Sequence, residues 1–145
     1  MGRDGAPTLG CAPGFRLKRM TDRDQRAAFS RGIRQFNAHE FWHAHESWES
    51  IWLDAPEPDK TFLQGIIQIA AAFYHHQKKN HEGMRSLMRR GLAKVEGFPA
   101  GYRGVRLENL RRAVRNWLDA DARGEALPRA SPTMLREKAR QRRGS

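Results

Sequence analysis

From about Asp59 to Lys79 the chain is apolar on nearly every side of a helix, with Phe62, Leu63, Ile66, Ile67, Ile69, Ala70, Ala71, Ala72, Phe73 and Tyr74 leaving little face for water. A helix of that kind belongs in the middle of a bundle, so the rest of the chain has to supply helices with one apolar face each. Its longest apolar run, Ile66 to Tyr74, is interrupted by Gln68 and falls well short of the roughly 18 residues that would span a bilayer. The covering is therefore protein, and no membrane association is expected. Gly65 costs about 1 kcal/mol in a helix interior relative to alanine, which predicts close approach of a neighbouring helix there.

The flanking segments carry the required periodicity. From Thr21 to Phe36, the apolar positions Ala28, Phe29, Ile33 and Phe36 recur at three- and four-residue steps. Asn37 with Glu40 three residues on reads as a capping pair for the next helix, with Phe36 and Phe41 in the staple positions. That second helix runs to about Leu53 and stops at Ala55-Pro56-Glu57-Pro58, where proline removes a backbone donor. Asn80 suits a cap or a left-handed turn. A fourth helix, from about Glu82 to Glu96, buries Met84, Leu87, Met88, Leu92 and Val95 and ends at Gly97 with Pro99 beyond. A fifth places Leu107, Leu110, Val114 and Trp117 on one face. The expected fold is all-α, a single compact bundle of about five helices built from antiparallel helix hairpins over residues 15–124. A flexible Gly/Pro-rich arm, residues 1–14, precedes it, and a basic tail, residues 125–145, follows.

The formal net charge of +11 hides a division, because residues 37–59 hold six acidic side chains and no lysine or arginine. The same segment holds His39, His43 and His45, so cation binding or acid/base chemistry is most economically placed there. The basic remainder suits an acidic partner or nucleic acid, with Arg136, Lys138, Arg140, Arg142 and Arg143 as salt-sensitive phosphate contacts. A solvated tail that keeps a basic protein soluble fits the same residues. The lone Cys11 excludes an intramolecular disulfide scaffold and favours a reducing, cytoplasmic setting. No Gly-rich phosphate loop, serine elbow or Cys/His pair is present, which leaves nucleotide hydrolysis and acyl transfer without support.

Turning the second helix by 100° per residue puts His45 and Glu49 together on the inward side, with Glu46 at the boundary and His39 and His43 outside. On the central helix Gln64, Gln68 and His75 share a stripe, and glutamines on an apolar helix cost about 1–3 kcal/mol each unless hydrogen-bonded. The two polar stripes are expected to face each other as a buried centre of His45, Glu46, Glu49, Gln64, Gln68 and His75. Such a centre is either a satisfied network that fixes helix register or a site for a polar ligand or a divalent metal. In the metal reading His45, Glu49 and His75 are the ligands. Catalysis, as a metal-dependent hydrolase, would use Glu46 or Glu49 as general base, although the second histidine of the H-E-x-x-H motif is missing. The outward His39 and His43 pair, and His76 and His81, fit ordinary wet-surface or cap positions.

These residues resemble the family called domain of unknown function 309. The resemblance rests on Phe36-Asn37, on Phe41 followed by Ala44-His45-Glu46-x-Trp48-Glu49-x-x-Trp52, on Phe62-Leu63-Gln64-Gly65-Ile66-Ile67-Gln68 running to His75, and on Asn80 and Gly83. It covers roughly residues 30–95 and implies a small helical bundle in which these His, Glu and Gln side chains gather near one another. It implies no activity. The chain departs from the pattern at His39, where the family turn usually carries glycine.

Overall fold

The computed structural model describes residues 20–129 and 131–134. They form five α-helices: α1 (Asp22–Asn37), α2 (Phe41–Trp52), α3 (Asp59–Gln77), α4 (His81–Val95) and α5 (Leu107–Ala122), with a short 3-10 turn at Tyr102–Gly104 before the last. The all-α bundle of five helices is as the periodicity predicts. Short connections force antiparallel neighbours, and each helix packs on the next, with α3 between α2 and α4. Ten residues of α3 are buried, including Phe62, Leu63, Ile66, Ile69 and Phe73, as its all-round apolar pattern requires.

Two close approaches set the packing. Trp48 of α2 is fully buried and donates its indole N–H to the Phe29 carbonyl of α1 at 3.1 Å. Its ring lies over Gly32, where a Cβ would fall 2.2 Å from Trp48 Nε1, so only glycine admits it. On the other side of the bundle, Gly65 of α3 faces Gly91 of α4. A Cβ on Gly65 would lie 2.6 Å from Val95 Cγ1 and 3.2 Å from the Gly91 carbonyl oxygen, which is the close helix approach its position predicts.

The ends of the helices differ in part from the sequence expectation. Asn37 does not cap α2, since Glu40 is the N-cap residue and makes no side-chain cap hydrogen bond. Asn37 instead accepts from the Met134 amide at 2.5 Å and donates to the Met134 carbonyl at 3.3 Å. Met134 is fully buried in the core cluster, so packing continues past Gly124 instead of stopping there. The reciprocal capping pair is found one helix earlier, at Thr21 and Asp24, while Phe36 and Phe41 do make the expected edge-to-face contact, 5.0 Å between centroids. Asn80 caps α4 by accepting from the Gly83 amide at 3.0 Å. Arg111, buried on α5, reaches back to the open end of α4 and donates to the carbonyls of Val95 at 2.9 Å and Phe98 at 2.8 Å, satisfying acceptors that the helix end leaves free. Asp59 at the start of α3 accepts from the Tyr102 hydroxyl and from Arg103 at 3.1 Å; burial, reinforced by that carboxylate, pushes the Tyr102 phenol up to about 12.

Candidate functional site

The six predicted residues do not form one enclosed centre. His45 is inward, with its side chain 15% exposed, and its ring stacks on Trp42 at 4.6 Å. Glu46 and Glu49 stand in water, 57% and 56% exposed. Each lies near a histidine: Glu46 is 3.7 Å from His43 Nδ1 and Glu49 is 3.9 Å from His45 Nδ1, both too long for a hydrogen bond. Gln64, Gln68 and His75 are half-buried.

Register and angle explain the separation. Across the α2–α3 contact, Phe41 meets Phe73, Trp42 meets Tyr74 and Trp52 meets Lys60. That antiparallel register sets His45 beside the middle of α3, near Gln68 to Ala71, and leaves His75 at least about 6 Å further along at 1.5 Å per residue. Glu49 is displaced the other way, at least about 12 Å along the axis from His75. The angular placement adds to this. Lys60 and Tyr74 mark the side of α3 that faces α2, whereas Gly65 and Ile69 mark the side that faces α4. Gln64, Gln68 and His75 fall about 60–100° round from the first direction, on the outer flank between the two neighbours. His75 accordingly meets the start of α4, with its Nδ1 3.1 Å from Asn80 Nδ2. The proposed metal set of His45, Glu49 and His75 is thus not brought together, and among the described residues no group of three or more His, Cys, Asp or Glu side chains could hold a metal ion.

Buried polar atoms without partners remain on both α2 and α3. His45 Nδ1 and Trp52 Nε1 on α2, and Gln68 Oε1 on α3, are buried and make no hydrogen bond among the described residues. The α1–α2 contact is the opposite case. There Ser47 donates to Gln35 at 2.7 Å, Arg31 donates to Ser47 at 3.2 Å, and Trp48 is bonded to Phe29. His76 Nδ1 is the fourth such atom, on the other side of α3, with its ring edge-on to Trp117 at 4.8 Å; burial, then the nearby His81, lowers its pKa.

Other predicted positions are placed as follows. His39 takes a left-handed backbone, φ 65°, the conformation that favours glycine; its ring stacks on Phe41 and its carbonyl accepts from Gln77. The tail cations Arg136, Lys138, Arg140, Arg142 and Arg143 lie outside the described residues. No helix among the described residues is long and apolar enough to cross a membrane.

Comparison with known proteins gives the same family as the motifs. Residues 29–87 match the model of the family described as Domain of unknown function (DUF309), a span that runs from the middle of α1 into α4. The chain is also similar to Uncharacterized protein YpuF of Bacillus subtilis (strain 168), 38% identical over 50 residues, which is 34% of this chain and 29% of that protein. The matched segment therefore spans less than a third of the relative's length.

Proposed function

We propose that the protein is a binding module that takes a ligand on the outer flank of α2 and α3, and that the polar groups there serve recognition more than folding. The carrying observation is the set of unpaired buried atoms at His45, Trp52 and Gln68. A buried polar atom left without a partner costs about 1–3 kcal/mol, so a flank shaped for stability alone would hold apolar side chains in these places. The same chain pairs its buried polar groups at the α1–α2 contact. The unpaired atoms lie beneath the surface and mark a flank not shaped for folding alone, while the exposed Glu46 and Glu49 of α2 are the polar groups that a ligand meets directly.

Chemical unfolding of His45→Phe and Gln68→Met tests this without knowledge of the ligand. Groups kept for binding can be replaced by apolar side chains of similar size with no loss of stability, or with a gain, because the desolvation cost disappears. A loss of more than about 1 kcal/mol in either variant would return them to a structural role.

A second reading is favoured by the outer face of α4, where Glu82, Arg85, Ser86, Arg89 and Arg90 line a shallow groove of about 380 Å³. Arg85 is tied to Asp121 at 2.5 Å, while Arg89 and Arg90 are exposed. This face suits a polyanion, nucleic acid included, and such binding weakens as a power of the salt concentration. Reversing Arg89 and Arg90 to glutamate should abolish it; salt-independent binding, or binding that survives the reversal, rules this reading out.

A further inference from the structure

Two large hydrophobic side chains are exposed among the described residues, Trp42 at 42% and Leu53 at 55%. Trp42 lies in the first turn of α2 and Leu53 is the residue that caps its C-terminal end, so they are not scattered. Leu53 keeps helical backbone angles, φ −60° and ψ −37°, so the eleven steps from Trp42 bring it back to within about 20° of the same direction. Glu46 and Glu49 fall between them at steps of four and three, on the same line. The result is a ridge about 16 Å long with an apolar anchor at each end and two carboxylates in the middle.

Apart from His43 at 3.7 Å from Glu46 and His45 at 3.9 Å from Glu49, no basic side chain among the described residues pairs with those carboxylates. Residues 37–59 contain no lysine or arginine. Lys60, at the start of α3, lies over the Trp52 ring and donates to the Leu53 carbonyl at 3.4 Å, and Lys78, just past the end of α3, lies over the Tyr74 ring; neither forms an ion pair with Glu46 or Glu49. Trp42 is itself held in place, stacked on His45 and tilted against Tyr74 at 5.0 Å, which lowers the entropy it loses on binding. A second copy presenting the same ridge does not fit, since an antiparallel two-fold contact would set Glu46 against Glu49 of the other copy and bring like charges together.

We propose that this ridge docks an amphipathic helix of a basic partner protein, with two apolar side chains three turns apart seated on Trp42 and Leu53 and with lysine or arginine between them meeting Glu46 and Glu49. The proposal rests on reading the α2–α3 flank as a binding surface, and it adds the chemistry of the occupant. Anchor residues at spaced positions along one face are how a helix is recognised in a groove or on a ridge, and the opposite charge fixes register and speeds encounter.

The test titrates the full chain, labelled for amide NMR, with a synthetic alanine-based helical peptide carrying two leucines three turns apart and two arginines between them. A control peptide has glutamates in place of the arginines. The expected result is saturable binding of the arginine peptide, with amide shifts confined to α2 and the adjoining side of α3. Binding should weaken about tenfold in Trp42→Ala and in the Glu46→Lys/Glu49→Lys double variant. Both alter exposed side chains, so circular dichroism should show the parent fold. Equal binding of the two peptides, shifts on α4, or affinity unchanged by the double variant would overturn the assignment. So would a concentration-dependent dimer that the double variant abolishes, because the occupant would then be the basic surface of a second copy. If His45→Phe and Gln68→Met keep their stability while the arginine peptide fails to bind, the flank remains a binding surface and the basic-helix occupant is wrong.

Discussion

Gly91→Ala should destabilise the bundle, although the same change in an exposed helix stabilises it by about 1 kcal/mol. A Cβ at Gly91 would lie 2.7 Å from Ile69 Cγ1, 2.8 Å from the Gly65 carbonyl oxygen and 3.1 Å from the Ile69 nitrogen. Two of those atoms are backbone of α3, so no rotamer change clears the space and the two helices must move apart. Overpacking costs about 1–3 kcal/mol, and the upper part of that range applies where the obstruction is main chain. Subtracting the helix-propensity gain of about 1 kcal/mol leaves a net loss of about 2 kcal/mol. For a domain of this size that lowers Tm by about 8 °C, at about 4 °C per kcal/mol. Gly97→Ala is the control, because nothing lies within 4 Å of the added atom; it should be neutral or stabilise by up to about 1 kcal/mol through the unfolded chain. Thermal unfolding followed by far-UV circular dichroism reads both. A Gly91→Ala protein that melts at or above the parent temperature would refute the close α3–α4 contact.

Replacing Arg111 with methionine removes the donor to Val95 and Phe98 and should cost about 1.5–3 kcal/mol in urea unfolding, with faster amide exchange in the last turn of α4; lysine should not restore it, since one ammonium cannot reproduce the guanidinium fork. Asn37→Ala loses both bonds to Met134 and should expose residues 131–134 to limited proteolysis, with a stability loss of about 1–2 kcal/mol. The lowered pKa of His76 means that the folded chain binds fewer protons there than the unfolded chain. Its contribution is therefore neutral above about pH 6.5 and becomes destabilising as pH falls from there through the folded pKa. His76→Gln should flatten that part of the stability profile, and an unchanged profile between about pH 6.5 and 5 would remove His76 as its source.

Periodicity was enough to place five helices and most of their buried faces, because an amphipathic stripe is a local property that burial then enforces. Gly65 was legible for the same reason, as a small residue where a helix is apolar all round. Its partner Gly91 was not, since a glycine inside α4 carries no sign of which helix will approach it. The site failed in a more specific way. A helical wheel gives angle but not axial register, so His45, Glu49 and His75 could each be assigned a side of a helix without any indication that α2 and α3 would pair at Phe41–Phe73 and separate them. Asn37 next to Glu40 has the form of a capping pair, yet a contact 97 positions away in sequence, to Met134, takes its side chain. Arg111 likewise reads as one cation among many until α4 ends beside it.

The most direct test of the account is a double-mutant cycle between His45→Phe and Gln68→Met, measured by urea unfolding. If the buried polar atoms of the flank are not joined to one another, the two effects add to within about 0.5 kcal/mol and neither variant loses stability. A coupling energy above about 1 kcal/mol, with each single change destabilising, would mean that the two side chains lock the helices together, and the flank would then be a structural device.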